Sequence, residues 1–298
     1  MTRGRIEFPP SFFDPSITLD SGQAFRWRPL DESRNGWIGI VSGNVVKVSE
    51  KEARVLSDNS QDTEALQRYF SIDDDIDSIF ATFPYDKTLN SSKRGLPGLR
   101  LLTQDPWECL ISFVCSINCN IPSIRLKIDN LSRRYGKKIE TDLDFEAYSF
   151  PTAETLAKAS KRDLLTCKLG FRWKYVKFIA KRVAKGELDL DKLRNVSYQV
   201  SLQELISETS GMTFGVGPKV ADCVLLYSLH KTEAFPIDVW ILRCLERFYP
   251  EETGGSVRSL TPKKYFAISE AMRMKFGRYA GYAQLYLYVK MRHDFHSM

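Results

Sequence analysis

The chain has 298 residues, 43% hydrophobic and 27% charged, which suits about two ordinary domains and excludes a disordered tail, a collagen-like fibre or a coiled-coil rod. No uncharged apolar run approaches the ~18 residues of a membrane span, and the MTRGRIEFPP start lacks an apolar signal core, so an intracellular place is expected: cytoplasm or nucleoid in a prokaryote, nucleus in a eukaryote. The net charge of +6 is uneven: residues 1–100 hold 13 basic and 15 acidic residues, 101–298 hold 30 and 22, and 161–185 hold nine bases and one acid, Asp163, a density that favours a polyanionic partner over a merely solvated face.

The first hundred residues read as strand-rich. SGQAFRWRPL, GWIGIV and NVVKVSE are short and rich in aromatic or β-branched residues, and Ser42-Gly43-Asn44 is a hairpin signal between the last two. A helical stretch is expected near 61–70, DDDID at 73–77 as a solvated acidic patch, and NSSKRGLPG at 90–98 as a linker. The expected domains are therefore 1–98, an antiparallel sheet domain with flanking helices, and 99–298, a helical domain; the fold class is α+β.

Asp105-Pro106 reads as an N-cap with proline at the first helical position, opening WECLISFVCSI, and Asn118–Pro122 interrupts that helix. Further helices are predicted at about 123–135, 153–158, 161–167, 172–185, 201–209, 218–229, 238–248, 262–276 and 278–292. The six cysteines form no CxxC pair and only three histidines are present, so no structural zinc or four-cysteine iron–sulfur spacing exists. Reduced buried thiols are expected, with no metal and no cofactor.

The most informative window is LQELISETSGMTFGVGPKVADCVLLYSL, about 202–229. Two apolar helices flank a hairpin in which Gly215 and Gly217 surround Val216, which would plug between them. Such a hairpin leaves backbone N–H groups free at a helix N-terminus, where the dipole suits a phosphate oxygen. An ordinary helix–turn–helix connection is the plainer alternative; Pro218 and the basic second half of the chain favour a helix-hairpin-helix that holds DNA by its backbone. Lys219 lies in the first turn of the second helix, where the positive dipole end disfavours a cation and so favours the neutral amine that a nucleophile needs. Nineteen residues on, in PIDVW, Asp238 reads either as an N-cap or as the carboxylate that stabilises a cationic sugar.

GVGPKVADC followed by PIDVW resembles the helix-hairpin-helix DNA glycosylase superfamily. SGQAFRW at 21–27, SFVCSINCNI at 112–121, LGFRWKYV at 169–176 and YAGYAQLYLY at 279–288 make the chain more closely similar to the eukaryotic-type 8-oxoguanine DNA glycosylase/lyases. The resemblance implies a bifunctional enzyme of base excision repair acting on double-stranded DNA as a monomer. Lys219 would attack C1′ of the damaged nucleotide, displace the base and nick the strand by β-elimination through a Schiff base. Asp238 would stabilise the oxocarbenium-like transition state.

The same resemblance implies a base pocket. The carbonyl of Gly22 would accept the hydrogen that 8-oxoguanine, unlike guanine, carries on N7. Cys223, one helical turn after Lys219, and Tyr288, where the family usually has phenylalanine, would sandwich the base; Gln284 would bond its edge and Pro236 would border it. Asn118 would fill the gap left by the base and Arg172 would read the opposing cytosine. Two positions depart from the pattern: Ser123 replaces a second arginine, with Arg125 nearby but directed elsewhere, and Trp240 replaces a histidine that touches phosphate. A monofunctional glycosylase for alkylated bases and a non-catalytic DNA-binding module are the alternatives, and the pairing of Lys219 with Asp238 speaks against both. The endonuclease III-like branch shares the lysine, but its usual C-terminal iron–sulfur cysteines are absent.

Overall fold

Ser42 and Gly43 both adopt positive φ, 48° and 77°, and close a two-residue turn with Val41 opposite Asn44. Two positive φ values give the turn whose twist matches antiparallel strands. The computed structural model describes residues 4–57, 63–141, 146–207 and 215–296, with side chains described through residue 294. The turn joins β3 (Trp37–Val41) to β4 (Asn44–Val48) in an antiparallel five-stranded sheet. With β1 (Arg5–Glu7), β2 (Arg28–Pro29) and β5 (Glu52–Val55), the strand order is β1-β5-β4-β3-β2. Helix α1 (Pro15–Leu19) precedes β2, and α2 (Thr63–Tyr69), α3 (Ile76–Ala81) and α4 (Lys87–Gly95) follow the sheet.

Trp27, Trp37, Val46, Val48, Tyr69 and Phe70 pack under the sheet. A Cβ on Gly39 would stand 2.4 Å from the Trp27 ring, which explains a glycine in mid-strand. Gly39→Ala therefore lowers stability by about 1–3 kcal/mol through overpacking. The measurement is a denaturation midpoint that falls at unchanged slope; an unchanged midpoint would mean that Trp27 yields freely.

The second half is helical, apart from the short pair β6 (Lys138–Ile139) and β7 (Ala147–Tyr148). Asp105 Oδ1 accepts from Glu108 N at 2.8 Å and opens α5 (Pro106–Cys115); Asn120 caps α6 (Ile121–Tyr135) after the break. Then come α7 (Ala153–Lys158), α8 (Lys161–Thr166), α9 (Trp173–Ala184), α10 (Tyr198–Ser207) and α11 (Pro218–Tyr227). The chain ends with α12 (Val239–Phe248), α13 (Pro250–Thr253), α14 (Pro262–Phe276) and α15 (Ala280–His296). No helix among the described residues is long and apolar enough to cross a membrane.

Three local expectations need correction. SGQAFRWRPL is not a continuous strand; only Arg28 and Pro29 of that stretch join the sheet. The buried Gln23 takes the place of a ladder: its Nε2 donates to the Arg100 carbonyl (2.9 Å) and its Oε1 accepts from Leu102 N (2.8 Å). The segment is thereby pinned beside the helical half with its backbone free to turn. NSSKRGLPG is not a linker either, since residues 90–95 complete α4 and Leu96 is buried. The 73–77 acids are not a uniformly solvated patch: the Asp74 carboxylate accepts from the Tyr282 hydroxyl and pairs with His230 at 3.4 Å, and Asp75 caps α3.

Candidate active site

α11 packs against α5, and this brings Lys219 over the end of α5. Lys219 Nζ lies 4.9 Å from the Phe113 ring centroid and 3.5 Å from Ser116 Oγ. An amine facing a ring and one hydroxyl is held without being locked into a tight ion pair. Asp238 stands at the start of α12, where Oδ1 accepts from Trp240 N (3.0 Å) and Ile241 N (2.9 Å). The N-cap reading of Asp238 is seen directly, and Lys219 is near enough for its charge to act on the same carboxylate. Burial raises the Asp238 carboxyl above the usual carboxylate range, and the nearby Lys219 charge and the two N–H donors oppose that rise.

Cys223 is buried one turn along α11. Burial pushes its thiol up to about 12 against the pull of Lys219, so it presents a neutral, polarisable surface. Gly22 has φ +91°, and a Cβ there would stand 3.2 Å from the Tyr288 hydroxyl, 3.2 Å from Ile121 Cδ1 and 3.3 Å from Arg292 Nη1. That φ favours glycine, and a Cβ would also press on three side-chain ends. Tyr288 is half-buried, and its phenol is raised by burial and by the Asp238 charge. Gln284 is buried; its Nε2 donates to the Pro236 carbonyl (3.0 Å) and its Oε1 accepts from the Tyr227 hydroxyl (3.3 Å). Each end of that amide keeps one further hydrogen-bonding capacity. Gly22, Lys219, Cys223, Pro236, Asp238, Gln284 and Tyr288 therefore gather from both halves of the chain.

Of the hairpin, Phe214 lies outside the described residues. Gly215 has φ +82° and the Tyr175 ring lies 2.4 Å from where its Cβ would be; Val216 is buried in the helical core. Gly217 caps α11 with no side-chain hydrogen bond, so the cap residue itself covers none of the first N–H groups of that helix. The Trp240 side chain is half-buried beside Arg243, whose Cζ lies 5.2 Å from the indole ring.

Asn118 is exposed at φ +48° in the break between α5 and α6. Arg172 is 7% exposed, and its Nε donates to the Ile117 carbonyl (2.9 Å) and its Nη2 to the carbonyls of Ile117 and Asn118. The end of α5 leaves orphan carbonyls, and a buried guanidinium satisfies them. Arg125 is likewise engaged, with Asp20 at 2.9 Å.

The sequence reading missed Arg292. Its Nη1 donates to the carbonyls of Ser21 (2.8 Å) and Asp20 (3.2 Å), and its Cζ lies 5.6 Å from the Tyr288 ring centroid. Arg292 is four residues beyond Tyr288 on one helix, a spacing that would have flagged it. A cleft of about 710 Å³ lined by residues 72–77, 93–94 and 96–100 contains none of these side chains. The site is marked by its chemistry rather than by its size.

A family model for the 8-oxoguanine DNA glycosylase N-terminal domain matches residues 5–110, and the HhH-GPD superfamily base excision DNA repair model matches residues 111–262. The chain belongs to the 8-oxoguanine branch of the HhH-GPD glycosylases. It is 32% identical to a probable N-glycosylase/DNA lyase of Methanothermobacter thermautotrophicus over 95% of each chain. It is 30% identical to the N-glycosylase/DNA lyase of Saccharomyces cerevisiae, over 96% of this chain and 85% of the yeast protein. The Clostridium acetobutylicum 8-oxoguanine glycosylase/lyase, solved with dsDNA containing cytosine opposite to 8-oxoG, superposes with a TM-score of 0.84 at 31% identity, over 99% of both chains. The family's sheet and helical domain are the architecture seen here. An Archaeoglobus fulgidus 3-methyladenine DNA glycosylase shares that fold at 21% identity and a TM-score of 0.73.

Proposed function

We propose that this protein is a bifunctional 8-oxoguanine DNA glycosylase and apurinic-site lyase that works on duplex DNA. The Lys219 charge acting on both the buried Asp238 carboxyl and the Cys223 thiol, with Gly22 against the Tyr288 hydroxyl, carries the reading. The neutral Lys219 amine attacks C1′, the C1′–N9 bond breaks and the base leaves with the electron pair. The Asp238 carboxylate stabilises positive charge on the sugar as that bond lengthens. Loss of a proton from the amine and ring opening give the imine; removal of a C2′ proton then expels the 3′ phosphate. Lysine as nucleophile separates this reading from a monofunctional glycosylase, in which water attacks.

The Gly22 carbonyl accepts from N7–H of the lesion, and Gln284 uses its spare donor and acceptor on the base edge. Asn118 enters the vacated stack, and Arg172 holds the turn that presents it. The N-terminus of α11 at Gly215–Gly217 takes a phosphate, with Trp240 beside the backbone. The chain acts as a monomer on chromosomal DNA, hence inside the cell.

The deciding experiment is borohydride trapping with an 8-oxoguanine duplex. A covalent protein–DNA band that is absent with an undamaged duplex is expected. Excision without trapping would replace the lysine by water as nucleophile.

Tyr288→Ala, measured in a Lys219→Gln background, weakens lesion binding by about 1–3 kcal/mol, the scale of one base–aromatic stack. Tyr288→Phe is mild, because the ring remains. Equal losses from both would assign the effect to the hydroxyl beside Gly22 and Arg292.

Opposing-base selectivity is weak. Ser123 is too short to reach a base, and the Arg172 Nε and Nη2 donors are taken up by carbonyls. Each absent bidentate contact removes about 1–3 kcal/mol of discrimination. Single-turnover excision opposite A, G and T therefore falls within about tenfold of that opposite C, a factor worth about 1.4 kcal/mol. A hundredfold preference for C would show that another residue reads the partner base.

A further inference from the structure

The link Phe235–Asp238 is held by three hydrogen bonds. Ser269 Oγ donates to the Phe235 carbonyl (3.3 Å), Gln284 Nε2 to the Pro236 carbonyl (3.0 Å), and Ile237 N–H to the Tyr265 hydroxyl oxygen (3.2 Å). The Tyr265 hydroxyl donates in turn to Asp222 Oδ2 at 2.6 Å, while the Tyr198 hydroxyl donates to Asp222 Oδ1 at 2.6 Å. Asp222 is fully buried and lies on α11, three residues after Lys219 and next to Cys223. No step of the reaction proposed above uses it.

A carboxylate in a core costs several kcal/mol unless its oxygens are satisfied. Burial pushes Asp222 up to about 6, and the two phenol donors hold it down, so above that range the charged form prevails. Two apolar side chains would fill such a space with less penalty. What the carboxylate adds is direction. It joins the helix that carries Lys219 to Tyr265 on α14, and Tyr265 fixes the peptide immediately before Asp238. Lys219 and Asp238 come from separate segments, so their mutual placement depends on whatever couples α11 to that link.

We propose that Asp222 and Tyr265 are positioning residues that set Asp238 relative to Lys219 through the Asp222–Tyr265–Ile237 hydrogen-bond chain; this rests on the glycosylase/lyase reading. Tyr198 supplies an internal control, because its hydroxyl bonds the same carboxylate from α10, on the side of Arg273 rather than of the 235–238 link.

The test compares full-length Tyr265→Phe and Tyr198→Phe in single-turnover excision from an 8-oxoguanine:cytosine duplex, with thermal denaturation and duplex affinity measured alongside. Tyr265→Phe is expected to slow excision by about tenfold at unchanged affinity, because a small misplacement of a reacting group costs one to two decades. Tyr198→Phe stays within about twofold of the wild-type rate, although it removes a bond of the same kind. In an Asp238→Asn background, Tyr265→Phe adds no further loss, since residues acting through one group are not additive. Equal slowing by the two tyrosine variants, or a full additional loss in the Asp238→Asn background, would reduce the network to core packing and overturn the proposal. Should Tyr265→Phe not fold, Asp222→Asn keeps the shape but forces one tyrosine to accept; a wild-type rate for that variant overturns the proposal as well. A wild-type protein that excises nothing and is not trapped by borohydride counts against the enzyme reading itself, whatever the tyrosine variants do.

Discussion

Lys219→Gln is expected to abolish base excision and strand nicking together. One amine both displaces the base and forms the imine from which the strand breaks, so the single-turnover rate falls on the order of 10⁴-fold or more, the usual scale for removing a nucleophile. The fold tolerates the change, because Lys219 Nζ lies against the Phe113 ring and the Ser116 hydroxyl, and a glutamine of similar length fits between them. Duplex affinity persists, because phosphates are held by backbone N–H groups and by the basic surface of the second half. Loss of the lysine charge also leaves burial of Asp238 less opposed, and its carboxyl rises further. Excision that survives without nicking would confine Lys219 to the lyase step. Nicking near the wild-type rate would remove it from the reaction.

The helical half was legible because its signals are local. Thr152 and Thr261 cap helices that begin where capping chemistry places them, and the 153–158 and 262–276 predictions coincide with α7 and α14. The Ser42-Gly43 hairpin was legible for the same reason. What failed depends on distant partners. Gln23 replaces a strand ladder with bonds to residues 77 and 79 positions away. Asp74 finds His230 and Tyr282 across the chain, and no composition rule foresees that pairing. The proposed pair of Lys219 and Asp238 stood out in the sequence because a lysine at a helix start and an aspartate before another helix are both local oddities. Arg172 was identified by motif, and its local setting was not: the break that exposes Asn118 also orphans two carbonyls, and the buried guanidinium bonds both. Asp222 carried no sequence signal beyond a charged residue inside an apolar helix, and only Tyr198 and Tyr265 give it meaning.

Asp238→Asn separates capping from charge. The amide oxygen of asparagine can still accept from Trp240 N and Ile241 N, so α12 keeps its cap. The negative charge facing the sugar is lost, and excision slows by about 10²–10³-fold, the scale of removing one preorganised electrostatic group. Stability should move the other way. Burial raises the Asp238 carboxyl in the folded protein, so its ionised form costs stability above that raised value. At neutral pH the asparagine variant is therefore at least as stable as the wild type. Its advantage shrinks as pH falls through the raised value and vanishes below the ordinary aspartate range of about 3.9, where both folded and unfolded carboxyls are protonated. The wild-type excision rate falls over the same descent, as the stabilising charge is titrated away, while the residual rate of the variant stays flat there. Thermal midpoints and single-turnover rates taken together from pH 4.5 to 8 read both effects. A variant with an unaltered rate would leave Asp238 as a helix cap alone, and a variant that is less stable at pH 7 would show that the carboxylate is held by more than those two N–H groups.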